Sequence, residues 1–149
     1  MNYEDDATGK VWDWVLRAER EKSKGVDCWE KFTLLCLDNS KVALKTHHGR
    51  YVTAMGADRD WVIRAERQES QGVGDWEKFT LVEPETEKEL SCSEAVFRLL
   101  EQGNVRIALR THHDGRYVTA MNDEDNRDWV LRAETKTLSD WEKFTVILP

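Results

Sequence analysis

The chain has 149 residues, a net charge of −7, two prolines and no low-complexity tract. A chain of this length can bury a core without a metal or disulfide, so we expect one domain. The excess of negative charge disfavours nucleic-acid partners, because contact with phosphates requires clustered Lys and Arg. Every apolar run is too short to cross a bilayer, which disfavours a membrane partner.

The start of the chain and its cysteines bear on the cellular compartment. Residues 1–6 are acidic and lack the basic start and apolar run of a secretory signal, so we expect a cytoplasmic protein. Cys28, Cys36 and Cys92 are odd in number and have no metal-ligand spacing. We therefore predict buried free thiols in a reducing compartment.

Two short segments occur three times along the chain. The first reads WVLRAE or WVIRAE and the second reads WEKFT; they begin at Trp14, Trp61 and Trp129, and at Trp29, Trp76 and Trp141, respectively. Apolar and polar residues alternate in the first segment, and this period of two predicts β-strands. Glycine and polar residues between the segments indicate turns, so each pair predicts a hairpin.

The segments group into repeat units at about residues 10–38, 39–83 and 104–149. The first unit has two strand-like segments and the other two units have four each. Residues 84–103 interrupt the repeat: Pro84 and the acidic residues after it predict a loop, and residues 95–100 predict a strand. Phe97 lies as far before Ile107 as Phe32 lies before Val42, so it occupies the place of a fourth strand.

Four short strands in each of nearly three units predict an all-β protein, a single β-trefoil domain over residues 1–149 with pseudo-threefold repeats. Closure of the barrel removes most sheet edges. The first unit is truncated in this interpretation, and residues 84–103 are an insertion. The missing strands could come from this insertion, from a partner chain or from a longer repeat array.

Residues 42–46, 49–54 and 76–81 read VALKT, GRYVTA and WEKFTL, and residues 107–111, 115–120 and 141–145 repeat this order. These words resemble the fascin-like β-trefoil family. The resemblance implies a non-catalytic module from a family that crosslinks actin filaments or accompanies glycan-active enzymes, with actin or another protein as partner and no cofactor. Fascin bundling uses several trefoils, so crosslinking by this chain would require a homodimer.

The turns between the first and second strands of two units combine basic residues with histidine pairs. The candidate residues for binding a protein or actin are Lys45, His47, His48, Arg50, Arg110, His112, His113 and Arg116. Four histidines could bind a metal or respond to pH near about 6.5. Neighbouring strand residues face opposite ways, so we expect no metal site and histidines that fill the turns, partly stacked on Tyr51 and Tyr117.

The tryptophans suggest a second kind of site. Strand parity places Trp76 on the face opposite Phe79, so a buried Phe79 would leave Trp76 outside, where it could stack on a sugar ring. The candidate residues for this lectin-like alternative are Trp29, Trp76, Trp141, Tyr51 and Tyr117. In the competing interpretation, a bulge turns the tryptophans back to seal the barrel.

Catalytic motifs are absent from the sequence: it has no nucleophile elbow, phosphate-binding loop or metal signature. We therefore do not expect an enzyme. Three hypotheses remain, namely a module that binds actin or another protein, a carbohydrate-binding trefoil, and a structural protein whose incomplete repeats pair between chains.

Overall fold

Strands dominate the described part of the chain. The computed structural model describes residues 32–47, 49–56, 61–120 and 131–147. In these ranges the strands are β1 (Phe32–Asp38), β2 (Lys41–Thr46), β3 (Arg50–Ala54), β4 (Ile63–Gln68), β5 (Phe79–Val82), β6 (Asn104–Thr111), β7 (Tyr117–Ala120), β8 (Leu131–Thr135) and β9 (Phe144–Ile147). The helix α1 (Cys92–Gln102) lies between β5 and β6, and short 3₁₀ turns cover Glu69–Gln71, Asp75–Glu77 and Asp140–Glu142.

Two units have the same antiparallel pairing. In the second unit β2 pairs with β3 and β5, and β3 pairs with β4. In the third unit β6 pairs with β7 and β9, and β7 pairs with β8. The registers also agree, since Lys45 lies opposite Tyr51 and Arg110 opposite Tyr117. The predicted repeat of four strands is confirmed in these units, and the fold is a β-trefoil.

Backbone hydrogen bonds join neighbouring units at two kinds of position. β1 pairs with β2 as β5 pairs with β6, so β1 is the fourth strand of the first unit. The third strands of the later two units meet through a bridge between Val62 and Arg132, and the Ala133 N–H donates to the Trp61 carbonyl oxygen at 2.8 Å. The predicted strand that begins at Trp14 lies outside the described residues. The described parts of the strands predicted at Trp29 and Trp129 are β1 and β8.

The core follows the predicted alternation in β4, whereas every residue of β5 is buried. Ile63 and Ala65 of β4 are buried, as are Phe79 and Leu81 of β5. They pack in one cluster with Val42, Val52, Ile107, Leu109, Val118 and Ala133 from the second and third units. Burial of these side chains is the main favourable contribution to folding, at about 25 cal/mol per Å² of apolar surface removed from water.

The insertion is a helix, so the prediction of a strand at residues 95–100 was wrong. Ser91 caps the helix by accepting a hydrogen bond from the Glu94 N–H, and Gly103 ends it in the left-handed conformation with φ 81°. Cys92, Ala95 and Leu99 recur at helical spacing and face the barrel core. Val96, Phe97 and Leu100 are exposed or partly exposed on the outer side. Within the described residues, no helix is long and apolar enough to span a membrane.

The prediction of free thiols was also wrong for two of the three cysteines. Cys36 of β1 and Cys92 at the start of α1 form a disulfide bond, with their Cα atoms 6.0 Å apart. The Cys92 N–H also donates to the Asn39 carbonyl oxygen at 2.6 Å. The bond therefore fixes the inserted helix to the first unit. Cys28 lies outside the described residues.

Two carboxylates beside α1 give the fold a predictable response to acid. Hydrogen bonds from Arg98 and Thr86 hold the pKa of Glu83 below its usual value of 4.5. The Ser40 hydroxyl donates to Glu89 at 2.7 Å and lowers the pKa of that carboxyl. A lowered folded-state pKa contributes stability above the unfolded-state pKa, and this contribution is lost as pH falls through the folded-state value.

We therefore expect the urea midpoint to fall between about pH 5 and about pH 3. The fall should be smaller in Arg98→Ala and in Ser40→Ala, because each variant removes the donor that favours the charged carboxylate. Lys136→Ala, which changes an exposed residue, is the control. An unchanged acid response in both variants would contradict the assignment of the two carboxylates.

Candidate functional site

Each fourth strand is preceded by an Asp-Trp-Glu turn in the two units where the structure describes it. Asp75–Glu77 forms a 3₁₀ turn before β5, and Asp140–Glu142 forms one before β9. The Glu77 carboxylate accepts from the Gly74 N–H at 2.9 Å. Glu142 accepts from both the N–H and the hydroxyl of Ser139, at 2.7 and 2.6 Å. These bonds close each turn and fix the direction of the tryptophan between them.

The glutamate of each turn is buried and bonded to the second strand of its unit. Glu77 is 3% exposed and accepts from the Thr53 hydroxyl at 2.7 Å. Arg67 adds an ion pair at 3.3 Å. Glu142 accepts from the Thr119 hydroxyl, also at 2.7 Å. These residues are not among the predicted site residues, although the Thr and Glu repeated in the YVTA and WEKF words were the available signal.

The tryptophans of these turns face the solvent. Trp76 is 44% exposed and Trp141 is 48% exposed, whereas Phe79 is fully buried. The outward placement predicted by strand parity agrees with this arrangement, although Trp76 lies in a 3₁₀ turn and β5 begins only at Phe79. The interpretation that these two rings seal the barrel was wrong. Trp29 lies outside the described residues.

A groove of about 610 Å³ runs beside Trp76. Its lining combines the indole ring with polar groups, namely Thr53, Arg67, Gln71, Gly74, Asp75 and Glu77, and with Met55. Arg67 is held in place because its Nε donates to the Gly72 carbonyl oxygen at 2.7 Å and its Nη2 to that of Gln71 at 3.0 Å. The groove thus has a rigid polar wall beside an aromatic face.

One histidine of the third unit reaches into the second unit. The His113 ring stacks on Trp76, with centroids 4.8 Å apart and an interplanar angle of 17°. Its Nε2 lies 3.2 Å from the Ala54 carbonyl oxygen, within hydrogen-bond distance. The adjacent His112 is exposed, and its backbone N–H donates to the Lys78 carbonyl oxygen at 3.0 Å. His113 therefore stacks on Trp76, whereas we had expected the histidines to stack on Tyr51 and Tyr117.

The two tyrosines are placed differently from the tryptophans. Tyr51 and Tyr117 are both buried, at 9% and 5% exposure. Each ring therefore offers almost no surface on which a sugar could stack. Of the described residues that were predicted for the saccharide alternative, Trp76 and Trp141 are exposed enough to serve as platforms.

The predicted basic residues lie at the expected turns, but carboxylates already contact them. Lys45 is 3.2 Å from Glu69, and Arg110 is 3.8 Å from Glu89. Arg50 is partly buried, His47 is exposed, and His48 lies outside the described residues. The positive charge at these turns is therefore partly neutralised.

Arg116 has a structural role between two units. Its Nε contacts Asp114 at 2.6 Å, and its Nη1 donates to the Glu134 carbonyl oxygen at 2.7 Å. The guanidinium carbon lies 4.0 Å from the centroid of the Trp61 ring, in cation–π geometry. Arg116 thus joins the third unit to the second. Among the described residues, no three His, Cys, Asp or Glu side chains are placed to hold a metal ion.

Comparison with known proteins supports the architecture. No family model matches the chain, and no curated protein matches it. Among solved structures, the crystal structure of a designed 3-fold symmetric protein, ThreeFoil, is similar, with a TM-score of 0.60 and 14% sequence identity. The alignment covers 99% of this chain and 97% of that one. At this identity the likeness concerns the fold alone, and it is that of a β-trefoil with pseudo-threefold repeats.

Proposed function

We propose that this β-trefoil is a non-catalytic binding module that holds a neutral saccharide at the tryptophans of its Asp-Trp-Glu turns. The observation that carries the proposal is the exposure of Trp76 and Trp141 at equivalent positions of two units. Each ring stays in solvent although the glutamate that follows it is buried. A large aromatic side chain kept outside the core offers a face for stacking.

The surroundings of Trp76 fit the chemistry of a pyranose ring. Such a ring has a face of C–H groups and a rim of hydroxyls, so it needs an aromatic surface with a few polar partners. Asp75 has a side chain that is 70% exposed and can accept from hydroxyls. Gln71 and Arg67 line the same groove and can donate. Asp75 also has Lys78 at 3.7 Å, which reduces the local negative charge and favours a neutral ligand.

Binding of actin or another protein is the second candidate, and the fascin-like resemblance is compatible with both. The basic residues that this candidate requires are in contact with carboxylates: Lys45 with Glu69, Arg110 with Glu89 and Arg116 with Asp114. A cation that already has a carboxylate beside it contributes less to the attraction of an acidic filament. The contacts therefore support the saccharide proposal more strongly.

Replacement of both platforms tests the proposal. We expect the wild-type protein to show a Trp fluorescence change with at least one of lactose, cellobiose, maltose and N,N′-diacetylchitobiose. Trp76→Ala/Trp141→Ala should weaken that binding at least about tenfold, which corresponds to about 1.4 kcal/mol. Phe97→Ala, which removes an exposed aromatic ring from α1, is the matched control and should leave affinity unchanged.

Two results would contradict the saccharide proposal. One is a flat fluorescence and calorimetric response of the wild-type protein to all four sugars. The other is co-sedimentation of the wild-type protein with actin filaments that is lost in Arg50→Glu/Arg116→Glu and retained in the double tryptophan variant. The second result would favour the filament-binding candidate.

A further inference from the structure

The WEKFT word and the histidine pair differ in number along the sequence. Trp29, Trp76 and Trp141 begin the three WEKFT words, whereas the four histidines form two pairs, at residues 47–48 and 112–113. Equivalent Asp-Trp-Glu turns can therefore have different neighbours in this chain.

The described stack shows how the two kinds of turn meet. His113 belongs to the third unit and covers one face of Trp76, which belongs to the second unit. The histidine turn of the third unit thus packs on the tryptophan turn of the second unit.

The environment of Trp141 differs from that of Trp76. Its ring is 48% exposed, and none of the described side chains stacks on it. Arg67 lies opposite Tyr51 in the second unit, and Thr135 lies opposite the equivalent Tyr117 in the third unit. Thr135 therefore occupies the position that Arg67 has beside Trp76. Among the described residues, Trp141 therefore has neither a stacked imidazole nor an arginine at the position of Arg67.

Polar groups for a ligand are still present at Trp141. Asp140 has a side chain that is 94% exposed, and Lys143 lies 3.5 Å from its carboxylate. An exposed carboxylate can accept from two hydroxyls, and the neighbouring ammonium limits the net charge. A neutral pyranose, with its C–H face on the indole and its hydroxyls at Asp140, fits these groups.

From this asymmetry we infer that Trp141 is the principal saccharide platform and that His113 blocks the equivalent face of Trp76. The inference rests on the proposed saccharide function and specifies which turn performs it. The stack costs Trp76 one of its two faces, whereas a pyranose can approach Trp141 without displacing another ring. The two turns are thus equivalent in backbone but unequal in affinity.

Single variants separate the two platforms. In titrations with the four disaccharides named above, Trp141→Ala should weaken binding at least tenfold, whereas Trp76→Ala should change it less than about threefold. Independently of any sugar, Trp141→Phe should remove more acrylamide-quenchable emission than Trp76→Phe. Binding that depends on Trp76 instead of Trp141, or equal quenching losses, would overturn the inference and leave the saccharide proposal intact. Absence of sugar binding by the wild-type protein would contradict both the inference and the saccharide proposal.

Removal of the imidazole should create an additional site. His113→Asn keeps a polar group near the Ala54 carbonyl oxygen and removes the stacked ring, so calorimetry should show the stoichiometry rising by one sugar per chain relative to the wild-type protein. His112→Asn changes the exposed neighbour and should keep the wild-type stoichiometry. No additional site in a folded His113→Asn protein would contradict the blocking role of His113.

Discussion

Replacement of Glu77 by alanine is expected to lower the free energy of unfolding by about 3 kcal/mol. The carboxylate is buried and accepts from the Thr53 hydroxyl and the Gly74 N–H, and Arg67 forms an ion pair with it. Its removal leaves two donors without their acceptor and a guanidinium without its counter-ion. Urea unfolding at neutral pH measures the loss.

Two further variants make this experiment specific. Glu142→Ala tests the equivalent bond to Thr119 in the third unit and should also be strongly destabilising. Glu69→Ala is the control, because the Glu69 side chain is 60% exposed and its ion pair with Lys45 should contribute less than about 1 kcal/mol. A loss of the same small size for Glu77→Ala would show that the buried carboxylate does not stabilise the turn.

Removal of the disulfide between Cys36 and Cys92 is expected to cost about 4 kcal/mol. The two residues are 56 positions apart, so the bond closes a long loop and reduces the conformational entropy of the unfolded chain. The wild-type urea midpoint should fall when a reducing agent is added. Cys36→Ser/Cys92→Ser should unfold at that lower midpoint and show no response to the reducing agent, whereas a wild-type midpoint unaffected by reduction would contradict the prediction.

The strands of the barrel could be predicted because their pattern is local. The alternation in residues 61–66 and the YVTA words predicted β4, β3 and β7, and the structure has these strands. The helix was missed because residues 95–100 include Val96, Phe97 and two leucines. These residue types are as common in short buried strands as they are in helices. The cap at Ser91 and the stop at Gly103 were the signals that distinguish the two.

Several contacts of the candidate site join distant parts of the chain, so the repeated Thr and Glu could mark these residues without showing their partners. Burial of Glu77 contradicts the usual exposure of glutamate, and its contacts with Thr53, Gly74 and Arg67 explain it. The stack of His113 on Trp76 joins two units, and the pairing of Cys36 with Cys92 depends on where the insertion packs. The sequence did predict the outward placement of Trp76, because its parity relative to the buried Phe79 was enough to place it outside.

The junctions between units show how tolerant the barrel is to changes in linker length. Leu34 lies opposite Leu44 in β1 and β2, and Leu81 lies opposite Leu109 in β5 and β6, so both junctions have the same register. Yet Asn39 and Ser40 suffice for the first junction, whereas residues 83–103 with α1 make up the second. The register of strand pairing is thus the same for the short and the long linker. The second junction is therefore a position at which residues can be inserted without a change in the barrel.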